Sequence, residues 1–160
     1  MSFSIIIPAR FGSTRLPGKP LIKLGSRTLI QRVYQNCSDS GAKNVVVATD
    51  DLKIRDEVES FGGEVCLTES SLASGSDRVA SAVENLGFAA EDIIVNVQGD
   101  EPFLSAEVIR QVGVQVESKG NYVTTVFKKL NIQNSNDVNL VKVVTDRDNF
   151  ALYFSRASIP

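Results

Sequence analysis

What most constrains this chain is the alternation of short β-branched runs with helical periodicities. Ile5-Ile6-Ile7, Val45-Val46-Val47-Ala48 and Ile93-Ile94-Val95-Asn96-Val97 are apolar on successive residues, as strands buried on both faces require. Between them lie helical patterns. Leu29, Ile30, Val33 and Cys37 share one helix face ended by Gly41, and Ile54, Val58 and Phe61 share another ended by Gly62-Gly63. Val65 to Thr68 reads as a third strand in chain order, before Ile93 to Val97. Val79, Ala82, Val83 and Leu86 then mark a helix with Ser76 or Asp77 at its N-cap. A further helix carries Val108, Ile109, Val112 and Val116. Leu21 to Leu24 is a short apolar piece turning at Gly25, and Tyr122 to Phe127, Val141 to Thr145 and Phe150 to Phe154 read as later strands. Strands separated by helices imply βαβ units, hence an α/β fold of three layers with a mostly parallel sheet and helices on both faces. With no repeat, linker or low-complexity stretch, residues 1–160 are expected to form a single domain. Ser155 to Pro160 follow a strand directly with no covering helix, so that domain is expected to be cut short at its C-terminal end.

Composition removes several chemistries. The chain has no His, so a Ser-His-Asp triad, a Cys-His pair and imidazole metal ligation are all excluded. Its two cysteines, Cys37 and Cys66, lie far apart in apolar stretches and suit core positions in a reducing compartment. No run reaches membrane-spanning length, and Met-Ser-Phe-Ser lacks the features of a signal peptide. A cytoplasmic protein without membrane insertion is expected. With 17 Lys plus Arg against 19 Asp plus Glu, the net charge of −2 gives no support to nucleic-acid binding.

In open α/β sheets, ligands bind outside the carboxyl ends of the strands. The loop after the first strand, Ala9-Arg10-Phe11-Gly12-Ser13-Thr14-Arg15-Leu16-Pro17-Gly18-Lys19-Pro20, brings hydroxyls, glycines and the cations Arg10, Arg15 and Lys19. Such a set suits the roughly −4 charge of a nucleoside triphosphate. It is not a Walker loop: five residues separate Gly12 from Gly18 instead of four, and Pro20 stands where Ser or Thr would hold magnesium. The loop after the third strand ends in Ser74-Gly75-Ser76-Asp77-Arg78 at a helix start. This stretch suits helix capping and also backbone donation to a ligand. After the fourth strand, Gln98-Gly99-Asp100-Glu101-Pro102 suits either a turn or a Mg²⁺ site at Asp100. A triphosphate loop, a metal carboxylate and no nucleophile with a base point to nucleotidyl or phosphoryl transfer.

These motifs resemble those of the 3-deoxy-manno-octulosonate (KDO) cytidylyltransferases. The matching segments are Ile7 to Leu21 (IPARFGSTRLPGKPL), Val47 to Asp51 (VATDD), Ser74 to Arg78 (SGSDR) and Val95 to Pro102 (VNVQGDEP). Val141 to Asp146 (VKVVTD) and Ala151 to Pro160 (ALYFSRASIP) complete the set, in the family's order. One departure is Ser76, where Thr is expected. Another is length, since family members continue past Pro160 into a segment with a second metal-binding Asp, much of the sugar pocket and most dimer contacts. The resemblance implies the Rossmann-like nucleotide-diphospho-sugar transferase fold. It also implies transfer of CMP from CTP to the anomeric hydroxyl of KDO, with Mg²⁺ as cofactor, release of pyrophosphate, and CMP-KDO used in lipopolysaccharide biosynthesis. A homodimer is implied for the full-length protein.

Carried over by residue, the resemblance makes Arg10, Lys19 and Asp100 catalytic, with Asp100 holding the metal. Ala9 and Ser13 join the substrate-binding set, Ser13 at the triphosphate with Arg15 as a helper. Ser74, Gly75 and Arg78 would read cytosine, while Gln98 and Arg156 would face the sugar acid. The competing expectations are a cytidylyltransferase for another sugar acid and a CTP-binding fragment without turnover.

Overall fold

The computed structural model describes residues 2–12, 16–118, 123–131 and 136–159. In chain order the elements begin with β1 (Phe3–Ala9), a 3-10 turn (Lys19–Leu21), β2 (Lys23–Leu24), β3 (Arg27–Thr28), α1 (Leu29–Ser38) and β4 (Val45–Thr49). They continue with α2 (Leu52–Ser60), β5 (Glu64–Leu67), α3 (Gly75–Asn85), β6 (Ile93–Asn96), α4 (Ala106–Ser118), β7 (Lys142–Thr145) and β8 (Ala151–Ser155). The chain divides into two compact units, Met1–Thr124 and Thr125–Pro160.

Every residue of β1 is buried because it is an inner strand of a parallel four-stranded sheet in the order β5-β4-β1-β6. Successive side chains of a strand point to opposite faces, and the core divides accordingly. Phe3, Ile5, Ile7, Val45, Val47, Val95 and Val97 pack on one face with Ile30, Val33 and Cys37 of α1, Ile54 and Val58 of α2, and Ile109 of α4. On the other face Ile6, Val46, Ala48 and Cys66 meet Ala82 of α3, with Val79 and Val83 beside it. The β-branched runs therefore cannot slip in register without turning both apolar faces at once. The expected parallel sheet with helices on both faces is present.

Local chemistry sets the helix ends. The Asp51 carboxylate accepts from Lys53 N at 2.8 Å and Ile54 N at 3.2 Å, starting α2, and Gly62 leaves it at φ 78°. α3 departs from expectation: its N-cap is Ser74, not Ser76 or Asp77. Ser74 Oγ accepts from Asp77 N at 3.1 Å while an Asp77 carboxylate oxygen accepts from Ser74 N at 3.0 Å. This reciprocal box needs an acceptor three residues after the cap, which only the Ser74–Asp77 pairing supplies.

Leu21 to Leu24 divides between the 3-10 turn and β2, which pairs antiparallel with β3 around Gly25 at φ 71°. The strand expected from Tyr122 to Phe127 is not formed over 123–127, and Tyr122 lies outside the described residues. In the second unit β7 and β8 form an antiparallel hairpin. Its turn is held by Asp146 Oδ1, which accepts from Asp148 N at 2.9 Å and Phe150 N at 2.8 Å. Among the described residues no helix is long and apolar enough to cross a membrane.

Candidate functional site

The strand order reverses between β1 and β6. The chain runs outward from β1 through β4 to β5, then returns to the opposite side of β1 as β6. At such a switch point the loops leaving the two strands part, opening a crevice at their carboxyl ends. A cleft of about 230 Å³ lies there, walled by Pro8, Ala9 and Arg10 at the end of β1, by Gln98, Gly99 and Asp100 after β6, and by Ser74, Gly75 and Arg78 at the start of α3. Lys19 and Pro20 of the 3-10 turn and Leu72 complete it.

The first loop is tied between Phe11 and Gly18, ahead of Lys19. Gly18 N donates to Phe11 O at 2.9 Å, and the Phe11 ring sits 3.1 Å from where a Gly18 Cβ would stand. At φ 69° Gly18 takes a left-handed conformation that glycine adopts without strain. The chain is thereby turned into Lys19, whose Nζ lies 2.7 Å from Asp100 Oδ2. Both side chains are accessible, at 36% and 51% exposure, so a charged ligand can exchange with either.

Asp100 is held by the turn that follows β6. Glu101 N donates to Gln98 O at 3.1 Å, and Asn36 Nδ2 of α1 donates to Pro102 O and Leu104 O at 3.0 and 3.1 Å. A turn and an accessible carboxylate are thus compatible in this segment. Gly99 is required by close approach, since a Cβ there would meet Pro8 O at 3.0 Å. Gln98 Nε2 donates to Asn96 Oδ1 at 3.0 Å, which orients its carboxamide at the cleft wall.

The third wall is the start of α3. A Cβ on Gly75 would stand 3.5 Å from Pro8 and 3.6 Å from Gln98 Oε1, so the helix end abuts the other two walls. Arg78 is 3% exposed and held on three sides. Its Nη2 donates to Asp50 Oδ2 at 3.1 Å, and its Nη1 to Thr68 Oγ1 at 2.5 Å and Glu69 O at 3.4 Å.

Of the residues singled out in the sequence, Ala9, Arg10, Lys19, Ser74, Gly75, Arg78, Gln98 and Asp100 come together in this cleft. Ser13 and Arg15 lie outside the described residues. Arg156 belongs to the second unit, where its Nη1 donates to Asn139 O at 3.0 Å and Val138 O at 3.3 Å. Ser74 is engaged in its cap, which leaves its hydroxyl less free for a base than expected. Sequence reasoning missed Asp50 and Thr68, the anchors of Arg78. The signal was available for Asp50: Thr49-Asp50-Asp51 leaves the carboxyl end of a buried strand, the rule used for the other loops.

The chain is similar to known proteins. The sequence profile of the family described as Cytidylyltransferase matches residues 4–160. The 3-deoxy-manno-octulosonate cytidylyltransferase of Photobacterium profundum is 48% identical over all of this chain, and that of Idiomarina loihiensis 46%. The chain spans 65% and 64% of the lengths of these two relatives. Among solved structures, CMP:2-keto-3-deoxy-manno-octonic acid synthetase complexed with CTP superposes with a TM-score of 0.86 at 34% identity, covering 99% of this chain and 66% of that one. A cytidylyltransferase from Leptospira borgpetersenii gives a TM-score of 0.61 at 27% identity, over 74% of this chain and 50% of its own. By a profile match running from β1 to its last residue, the chain belongs to the cytidylyltransferase family.

Proposed function

We propose that the cleft is a CTP site and that the chain carries the nucleotide-binding part of a KDO cytidylyltransferase, residues 1–160 belonging to one cytidylyltransferase domain. The reaction transfers CMP: the anomeric hydroxyl oxygen of KDO bonds to the α-phosphorus of CTP and gives up its proton to water, and the bond to the pyrophosphate oxygen breaks, releasing pyrophosphate. The observation that carries this reading is the Lys19–Asp100 pair, a cation and a carboxylate 2.7 Å apart in one cleft at the sheet's switch point. Chemistry of this kind asks a protein for positioning and charge neutralisation more than for a nucleophile.

Arg10 and Lys19 neutralise and orient the triphosphate, with Ser13 and Arg15 added from the same loop. Ala9 lies against the nucleotide, and Ser74, Gly75 and Arg78 receive the cytosine. Gln98 addresses the sugar acid, whose carboxylate needs a donor. The donor set also fits a divalent cation. Asp100 offers an accessible, hard carboxylate beside the phosphate loop, and Mg²⁺ is commonly held by one or two carboxylates together with substrate phosphates. Among the described residues no group of three acidic, Cys or His side chains could hold a metal alone, so Asp100 would share the ion with the triphosphate. Bound there, Mg²⁺ offsets phosphate charge. A cytoplasmic location and a homodimer in the full-length protein complete the proposal.

Calorimetric titration with CTP, UTP and ATP tests the nucleotide site, and a coupled pyrophosphate-release assay with KDO tests turnover. Selective CTP binding with KDO-dependent release is expected. Equal affinity for ATP and CTP would overturn the base assignment, and CTP binding without release would restrict the chain to nucleotide binding.

A further inference from the structure

Asp50 lies in the loop leaving β4 and takes no part in the mechanism above. We propose that it is a specificity-determining residue that acts through Arg78. Its carboxylate neutralises and orients the guanidinium, which makes Arg78 a hydrogen-bond donor for an uncharged nucleobase and not a second seat for phosphate. The inference rests on reading the cleft as a nucleoside triphosphate site.

Among the described residues two ion pairs occur at this cleft, and they differ in kind. Lys19 and Asp100 are 36% and 51% exposed, so water screens them and each can take a new partner. Arg78 and Asp50 are 3% and 19% exposed, and separating them would strand a charge away from water. The first pair is exchangeable and the second is fixed. A triphosphate is thereby directed to the Lys19 end, because the guanidinium at the α3 end already has its counter-charge.

The hydrogen-bond inventory of Arg78 points the same way. A guanidinium has five N–H groups. Nη1 donates to Thr68 Oγ1 and Glu69 O, and Nη2 donates once to Asp50. The second Nη2 hydrogen and Nε–H have no acceptor among the described residues, and Arg78 lines the cleft. These donors match a carbonyl oxygen and a ring nitrogen on the edge of a pyrimidine. Thr68 is itself fixed, with its N and Oγ1 donating to Thr49 O at 2.9 and 3.2 Å, so the fork is held from just beyond the ends of the neighbouring strands β4 and β5.

Asp50 Oδ1 is buried and meets no donor among the described residues. An anion retained only to stabilise the fold gains from having both oxygens satisfied. This one uses a single oxygen, directed at Arg78.

The test compares the affinities of CTP and of inorganic tripolyphosphate, which has the charge without the base, for the unaltered chain, Asp50→Asn and Thr68→Val. In Asp50→Asn the CTP affinity should fall about tenfold, the scale of one hydrogen bond to a charged group. Tripolyphosphate affinity should hold or rise, because the guanidinium gains net charge. Preference for CTP over UTP should fall as well. Thr68→Val should weaken CTP while leaving tripolyphosphate unchanged. Loss of a merely structural contact would weaken both ligands together, and that result in Asp50→Asn overturns the inference, as does an unchanged CTP preference. Should Asp50→Asn not fold, Thr68→Val decides by the same criterion. An unaltered chain without affinity for CTP overturns the nucleotide reading itself, whereas selective CTP binding that survives Asp50→Asn overturns only the role given to Asp50.

Discussion

Lys19 Nζ stands 2.7 Å from Asp100 Oδ2, joining the loop after β1 to the turn after β6 over 81 residues of sequence. Exposed pairs of this type contribute only about 0–1 kcal/mol to stability. The pair therefore matters less for holding the fold than for where it puts two opposite charges. A triphosphate and its cation would replace the pair by two new ones, phosphate on Lys19 and metal on Asp100.

Replacing either residue should accordingly separate stability from function. Lys19→Ala and Asp100→Asn should each change the melting temperature by no more than a few degrees. In an active full-length form, Lys19→Ala should lower kcat by about 10²–10³, the usual scale for one charge-stabilising donor. Asp100→Asn should also raise the Mg²⁺ concentration needed for half-maximal rate, since a neutral amide holds a hard cation poorly. Thermal melts and a magnesium titration check this; normal turnover with an unchanged titration in Asp100→Asn would remove the metal from that residue.

Arg78 should behave in the opposite way. Arg78→Met leaves the Asp50 carboxylate without a counter-charge in a site where it is 19% exposed, and removing one partner of a buried pair costs about 3–5 kcal/mol. The double variant Asp50→Asn with Arg78→Met should recover much of that loss. Chemical denaturation of the three variants reads the coupling directly, and additive losses would show that the two side chains do not act as a pair.

How much of this was legible in the sequence depends on the range of the interaction. Ile5 to Ile7, Val45 to Ala48 and the faces of α1 to α3 are written in local periodicity, and each formed where expected. Arg10, Lys19 and Asp100 could be expected at one cleft because their loops leave the carboxyl ends of parallel strands. Contacts between distant residues left no such pattern. Asp50 meets Arg78 over 28 residues, and nothing in Thr-Asp-Asp distinguishes an ion pair from a helix cap. The β-branched stretch up to Phe127 shows the converse: propensity alone does not make a strand without a partner edge. Ser74 was missed as a cap because Ser76 and Asp77 lie nearer the apolar positions, although only Ser74 has an acceptor three residues on.

Gly113 sits in the middle of α4, where glycine is a poor helix former, and its reason is steric. A Cβ there would lie 2.5 Å from Phe3 Cγ, inside the buried ring of the first strand. Gly113→Ala should therefore destabilise by about 1–3 kcal/mol, although helix propensity alone would predict a gain of about 1 kcal/mol. A surface-helix glycine would show the gain. Urea denaturation distinguishes the signs, and a stabilised Gly113→Ala would mean that Phe3 yields without strain.

Cys37 links the core to alkaline stability. It is fully buried in α1, and burial raises its thiol pKa from 9.0 to about 12, because the thiolate would be formed away from water. The folded state therefore holds the proton more tightly than the unfolded chain. The resulting contribution is fully present below pH 9 and is lost as pH rises from 9 towards 12. Within that window one such group can lower the unfolding free energy by at most about 1.4 kcal/mol per pH unit. Other groups also titrate there, so the measurement is the difference in slope between the native chain and Cys37→Ala between pH 9 and pH 11. Cys37→Ala should be less stable at pH 7, by about 1–2 kcal/mol for the lost packing, yet fall less steeply with alkali. In the native chain Cys37 should also resist thiol-reactive reagents at pH 8 and react once urea unfolds it. Rapid labelling of Cys37 in the folded protein, or parallel pH slopes for the two proteins, would show that the thiol reaches water without unfolding.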